Sequence, residues 1–301
     1  MLVFITGASG HVGSALIPEL LAHGHHVVGL ARSDDAAATV AATGAEVLRG
    51  DLDDLDGLGA AAAAADGVIH LAFKHDAMAA GDYQTAIESD LAAIGAMAGA
   101  LDGTDKPFVG TSGTLMLAFG GVEGTGTEDI VLEAGPRTGA ENFVIALADR
   151  GVRSSVVRLP PTVHSSLDHH GFIPMIIGFA REHGEAAYIG DGANRWPAGH
   201  TLDAARLYRL ALEGAPAGTR LHAVGDEGVA FRAIAETIGR NLGIPTVSVT
   251  AEEAPSRFSY LATFAGLDNP TSSAATQSLL DWHPTEAGLL ADLDEGHYFH
   301  S

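Results

Sequence analysis

The chain has 301 residues, 47% of them hydrophobic, and its 38 acidic side chains against 16 basic ones give a net charge of −22. That is enough apolar material for a sizeable core in one α/β unit or two joined lobes, while the acidic field repels nucleic acid and anionic membranes. The lack of cysteine excludes disulfides, thiolate metal sites and cysteine nucleophiles. No apolar run reaches the roughly 18 residues of a membrane span. The opening MLVFITGASG has no basic, signal-like leader, so the expected address is the cytoplasm.

Leu2 to Thr6 is a short apolar run ending in a glycine turn, which predicts a buried strand. From His11 to Ala22, Val12, Ala15, Leu16 and Leu20 recur at helical spacing. The alternation continues with a strand at His26–Ala31, a helix near Asp34–Ala42, a strand at Glu46–Leu48 and a helix near Leu55–Ala65. A strand at Gly67–Leu71, a helix near Thr85–Leu101 and a strand at Pro107–Gly110 follow. After a glycine-rich stretch, a helix near Gly139–Arg150 leads to a strand at Ser154–Leu159.

Strands alternating with helices imply right-handed crossovers and a parallel sheet. The expected fold is α/β, a doubly wound Rossmann sheet with a smaller, mostly C-terminal substrate lobe. Residues 1–160 form the dinucleotide-binding part. Residues 161–301 form the lobe interleaved with returning sheet elements, including helices near Ile173–Glu182, Leu202–Leu212 and Phe231–Leu242.

Gly7-Ala-Ser9-Gly10-His11-Val12-Gly13 lies between the first strand and the first helix. Gly7 permits a tight turn, Gly10 lets the backbone approach a pyrophosphate, and Gly13 lets helix and strand pack closely. The helix N-terminus then offers free amides to the anion. An NAD site places an acid at the end of the second strand, where this chain has Ala31-Arg32-Ser33. Arg32 and Ser33 suit a 2′-phosphate, so NADP(H) is the expected cofactor and NAD(H) the alternative.

With these residues the chain resembles the short-chain dehydrogenase/reductase superfamily, on its extended or atypical, epimerase/dehydratase-like side. TGASGHVG fits the extended group's TGxxGxxG. Asp51-Leu52 matches the pair that flanks the adenine, and His70-Leu71-Ala72-Phe73 matches the strand end that lines the cofactor. Thr111 follows the fifth strand at the cofactor edge, Arg158-Leu-Pro160-Pro161 resembles the segment beside the nicotinamide, and Leu279-Leu280-Asp-Trp282-His-Pro284 resembles the closing LGWxP element.

The resemblance implies a hydride-transfer enzyme in which a serine holds the carbonyl and a tyrosine, helped by a lysine, donates the proton. Ser112 falls at the serine position. Setting Glu141 on the group's helix glutamate puts Glu133 at the tyrosine position and Arg137 at the lysine position. No tyrosine lies between Tyr83 and Tyr188, and the lysines are Lys74 and Lys106. This departs from the Tyr-x-x-x-Lys pattern, and Lys74, His75 and Tyr83, after the fourth strand, are the candidates to supply a catalytic group.

Thr114, His164, Arg195 and Trp196 are the candidate substrate residues. Asp168, His169 and His170 neighbour His164, and an arginine beside a tryptophan suits an anionic or planar group. His23, His25 and His26 read as an exposed turn, and no metal site is expected. No Gly-x-Ser-x-Gly elbow is present. The leading expectation is an NADP(H)-dependent oxidoreductase acting on a small carbonyl or alcohol. The alternatives are a non-catalytic NADP(H) sensor and a nucleotide-sugar epimerase or dehydratase. The resemblance also implies a homodimer through the helices near 85–101 and 139–150.

Overall fold

A computed structural model describes every residue except Ala80, Pro136 and Ser301, and every side chain but theirs and those of Met78 and Ala79. The strands are β1 (Leu2–Thr6), β2 (His26–Ala31), β3 (Glu46–Arg49), β4 (Gly67–His70), β5 (Pro107–Gly113), β6 (Arg153–Leu159), β7 (Thr162–His164), β8 (Ala186–Ile189), β9 (Arg195–His200), β10 (Thr219–His222), β11 (Asp226–Ala230) and β12 (Thr246–Val249). Among the described residues the α-helices are α1 (His11–Ala22), α2 (Asp34–Ala42), α3 (Leu55–Ala64), α4 (His75–Ala79), α5 (Tyr83–Gly99), α6 (Leu115–Phe119), α7 (Thr138–Ala146), α8 (Phe172–His183) and α9 (Thr201–Gly214). They are followed by α10 (Phe231–Leu242), α11 (Ala254–Phe258), α12 (Ala262–Ala265), α13 (Ala274–Leu280) and α14 (Leu289–Asp294).

Seven strands form a central sheet in the order β10-β6-β5-β4-β1-β2-β3, and every pairing within it is parallel. A parallel sheet is covered on both faces, so its strands read as unbroken apolar runs. In β1, Val3 and Ile5 enter one core with Leu16, Ile69, Val109, Leu207 and Trp282. Phe4 points the other way, into a second core with Val68, Met97, Phe108 and Val144. The expected doubly wound α/β class is the fold observed.

Beyond Pro160 the chain makes a three-stranded sheet, β11-β9-β7, and the two-stranded β12-β8. These lie with α8 and α10 around a third core that includes Ile173, Trp196, Phe231, Phe258 and Leu293. β10 returns to the edge of the central sheet, and α9 runs alongside α1 on one face of it. Helices α1 and α9 therefore both begin at the carboxyl edge of the sheet, where open α/β proteins bind ligands. No helix among the described residues is long and apolar enough to cross a membrane.

The helix expected over 139–150 is α7 closed by a 3-10 turn, Leu147–Arg150. The region read as turn-rich after Pro160 contains short strands of three to six residues. Their buried faces mix small, polar and aromatic residues, which blurs the period-2 signal.

Candidate active site

The glycine turn closes β1 onto α1. Gly7 has φ +70°, and a Cβ there would sit 2.7 Å from the Ala72 backbone nitrogen; at Gly13 it would sit 2.3 Å from the Gly7 carbonyl oxygen. Only glycine fits either place without moving backbone. The Gly7 carbonyl accepts from the Gly10 amide at 3.0 Å. Gly10 is the N-cap of α1 and no side chain caps this helix. The amides of its first turn have no intrahelical acceptor and face the carboxyl edge as an anion site. This cradle of bare backbone fits a dinucleotide's pyrophosphate.

Among the residues expected at the cofactor edge, Arg32 and Ser33 follow β2, and Asp51 and Leu52 follow β3. Arg32 donates to Asp76 at 2.7 Å across the carboxyl edge. Ser33 caps α2 through the Ala36 amide. Parallel pairing sets Arg49 beside Ala31, and Arg49 contacts the Ser33 carbonyl and Asp34. Arg49 was not among the expected residues; its only sequence signal is a cation closing the third strand. Asp51 accepts from the Asp53 amide at 2.8 Å, and Leu52 is buried.

At the ends of β4 and β5 the polar groups are interlocked. Thr6 Oγ1 and His70 Nδ1 lie 2.6 Å apart, and His70 Nε2 is 3.0 Å from Asp90. Asp90 also faces the Arg137 guanidinium at 3.4 Å, which lies 3.4 Å from the Thr111 carbonyl as well. The same guanidinium sits 4.2 Å from the centroid of the Phe73 ring, within cation–π range. Arg137 Nε is buried with no hydrogen-bond partner among the described residues. Burial opposes the Asp90 charge, but the His70 bond and the nearby Arg137 hold its carboxyl below the usual range. Thr111 Oγ1 donates to the His70 carbonyl at 2.7 Å and lies 2.8 Å from the Tyr208 hydroxyl on α9.

Ser112 requires a correction. Alternation along β5 turns Thr111 toward α9 and Ser112 toward α7, so the Ser112 hydroxyl is buried next to Glu141, without a hydrogen bond of ordinary geometry. Glu141 is held there by Arg158 at 2.6 Å and Arg220 at 2.8 Å. Ser112 is therefore a buried neighbour of an ion-paired cluster rather than an open group at the sheet edge. Thr114 is fully buried and accepts from Asn269 at 3.2 Å.

The other candidates for a catalytic group are spread along the edge. Lys74 is ion-paired to Asp53 at 2.6 Å. The exposed His75 meets the Phe73 ring edge-on, with centroids 5.4 Å apart. Tyr83 opens α5 and is 53% exposed. Leu71 and Ala72 follow β4 under the glycine turn, and Pro160 is buried at the end of β6.

Of the substrate candidates, Trp196 is corrected: it is 0% exposed and packs between Phe172 and Phe231, a core residue with no face for a ligand. Arg195 is ion-paired to Asp268 at 2.8 Å. His164 is buried and bonded to Asp292 at 2.9 Å. His11 extends from the glycine turn to Thr201 at 2.6 Å, with Asp168 3.8 Å away. Tyr298 bonds that same Asp168 at 3.3 Å.

Asp90 and Tyr208 were not expected at the site. Asp90 left a trace in the sequence: it lies with Ala86, Ala93 and Met97 on the buried stripe of α5, where an acid demands a partner.

Residues 3–112 match the model of the NAD-dependent epimerase/dehydratase family. An uncharacterised protein of Schizosaccharomyces pombe is 45% identical over 299 residues, covering 99% of this chain and all of that one. A 4-hydroxy-2-methyl-3-oxo-4-farnesyl-3,4-dihydroquinoline-1-oxide ketoreductase of Stigmatella aurantiaca is 28% identical over 225 residues, 72% of this chain and 66% of its own. Among solved structures, UDP-glucuronic acid 4-epimerase of Bacillus cereus, in complex with UDP-glucuronic acid and NAD, superposes with a TM-score of 0.76. Its identity is 18%, with 99% of this chain and 98% of that one covered. Residues 3–112 thus carry the signature of the NAD-dependent epimerase/dehydratase family, and the chain as a whole shares the fold of the solved epimerase.

Proposed function

We propose that the protein is an NADP(H)-dependent oxidoreductase acting on a small carbonyl or alcohol, with Arg137 as the cation at the reacting oxygen. The observation that carries this reading is the position of Arg137. Phe73 and Asp90 hold its guanidinium over the ends of β4 and β5, with one buried N–H unpartnered among the described residues.

The bound nicotinamide would supply or accept the hydride. The residues of the chain have three tasks. The glycine turn and the first turn of α1 hold the pyrophosphate by backbone amides, which an acidic protein needs because its overall field repels the ligand. Arg32 and Arg49 flank the end of β2, where a 2′-phosphate would lie. Arg137 faces the oxygen on which charge grows when hydride reaches a carbonyl carbon. A preorganised donor there lowers the barrier without reorganising at the moment of reaction. The segment 133–146 offers no tyrosine, so in this reading the alkoxide takes its proton from water or from His75.

The test is a titration of NADPH and NADH on the wild type and on Arg32→Ala, followed by NADPH oxidation across a panel of aldehydes, ketones and quinones. Tighter binding of NADPH, lost in Arg32→Ala, and turnover of at least one carbonyl are expected. Tighter binding of NADH overturns the cofactor preference. Binding of NADPH without oxidation on any substrate overturns the reaction.

A further inference from the structure

Resting on the NADP(H) reading, we propose that Asp76 sets how strongly the protein prefers a 2′-phosphorylated dinucleotide, by competing with that phosphate for Arg32. In the central sheet β1 lies between β4 and β2. Arg32 follows β2, and Asp76 stands in α4, after β4. Their 2.7 Å bond therefore passes over the carboxyl end of β1, which is the glycine turn itself. The two side chains are 69% and 76% exposed. No packing dictates the contact; charge attraction does, and the Arg32 bond holds the Asp76 carboxyl below its usual range.

The second cation of this corner is occupied in the same way, since Arg49 pairs with Asp34 at 3.1 Å. Each guanidinium that faces a 2′-phosphate thus carries its own carboxylate. A phosphate monoester brings roughly −1.5 to −2 charges at neutral pH and three acceptor oxygens, so it outbids a single exposed carboxylate for Arg32. Asp76 is then left unpaired beside a dianion and repels it. A ribose 2′-hydroxyl makes no such demand: Arg32 stays on Asp76, and the corner remains neutral. Asp76 therefore weakens binding of the phosphorylated dinucleotide while leaving the unphosphorylated one nearly unaffected.

A neighbouring bridge supplies the control. Lys74, just before α4, reaches Asp53 beyond β3 at 2.6 Å. That pair ties down the same segment without involving Arg32. If α4 mattered only as a tethered flap, cutting either bridge would change binding of both dinucleotides alike.

The experiment measures dissociation constants of NADPH and NADH for the full chain and for Asp76→Asn, Asp76→Glu, Asp53→Asn and Arg32→Ala at low and moderate salt. Asp76→Asn is expected to tighten NADPH about three- to tenfold, in the range of exposed charge pairs plus relieved repulsion. NADH should move less than about twofold. The gain should shrink as salt rises, and Asp76→Glu should keep the wild-type ratio of the two constants. An unchanged ratio in Asp76→Asn, equal tightening of both dinucleotides, or the same rise in Asp53→Asn overturns the proposal. A ratio unmoved by Arg32→Ala overturns the NADP(H) reading itself. A ratio that falls in Arg32→Ala but stays fixed in Asp76→Asn overturns only the role of Asp76.

Discussion

Thr6 Oγ1 lies 2.6 Å from His70 Nδ1, and this short contact ties the end of β1 to a buried imidazole. His70 Nε2 faces the Asp90 carboxylate at 3.0 Å and donates to it. Thr6 in turn accepts from the Ala72 amide at 3.3 Å. The chain of bonds ends on Arg137, so β1, β4, α5 and the start of α7 are set in one register. Asp90→Ala leaves His70 and Arg137 without their buried anion and is expected to lower the unfolding free energy by about 3 kcal/mol. Asp90→Asn, which retains an acceptor for His70, should cost about 1 kcal/mol. Urea denaturation at pH 7 measures both, and equal losses would show that the anion is not what the network requires.

The glycine turn predicts a sharper effect at Gly13 than at Gly10. A Cβ at Gly13 would lie 2.3 Å from the Gly7 oxygen and 2.7 Å from the Ala8 oxygen, both backbone atoms, whereas at Gly10 the nearest atom is 3.2 Å away. Gly13→Ala should displace α1, lower stability by about 2 kcal/mol and weaken dinucleotide binding by roughly 100-fold, since a small misplacement of the cradle forfeits its amides. Gly10→Ala should lose less stability. Paired denaturation and NADPH titration separate the two variants.

The glycine turn and the parallel sheet were legible because each is local: spacing along the chain carries the information. The site at the ends of β4 and β5 was only half legible. Arg137 could be placed by alignment with a helix glutamate, but its neighbours Asp90 and Phe73 come from α5 and from the end of β4. Ser112 misled because strand alternation, and not position after the strand, decides which way its hydroxyl turns. Trp196 misled for a similar reason. An aromatic beside an arginine suits a ligand equally well on paper, but here β9 points it into the core against Phe231.

Two titratable groups at the glycine turn, the half-buried His11 and the buried Asp168, make opposite predictions about pH. Burial pushes the Asp168 carboxyl up from 3.8 to about 6. A carboxyl raised in the native state gives stability that is complete below the unfolded value and is lost as pH climbs to the native one. Burial, with His169, His164 and His200 nearby, pushes His11 down from 6.5 to about 4. A histidine lowered in this way gives stability that is complete above 6.5 and is lost as pH falls toward 4. In the wild type the two trends offset each other between about pH 4 and 6.5, each amounting to up to about 3 kcal/mol. The stability of Asp168→Asn relative to wild type should therefore rise with pH across that window, and that of His11→Gln should fall. Denaturation curves at pH 4.5, 5.5 and 6.5 give both slopes, and slopes of the same sign would refute the assignment.

Arg137 carries the last prediction because it joins the buried network to the proposed chemistry. Its guanidinium contacts Asp90 and the Thr111 carbonyl only at 3.4 Å, with a side chain 23% exposed. Truncation should thus cost less stability than loss of Asp90, about 1 kcal/mol. If it stabilises charge growing on the substrate oxygen, Arg137→Ala should lower kcat on any carbonyl that turns over by roughly 10²- to 10³-fold, with the NADPH dissociation constant within about threefold of wild type. Arg137→Lys, which keeps a cation but not the planar fork over Phe73, should recover part of kcat. Asp90→Asn should fall between them, since it leaves the guanidinium in place but removes the anion that aims it. A loss confined to KM, with kcat intact, would instead make Arg137 a group that binds ground state and transition state alike. Its unpartnered Nε would then mark a substrate anion rather than the reacting oxygen.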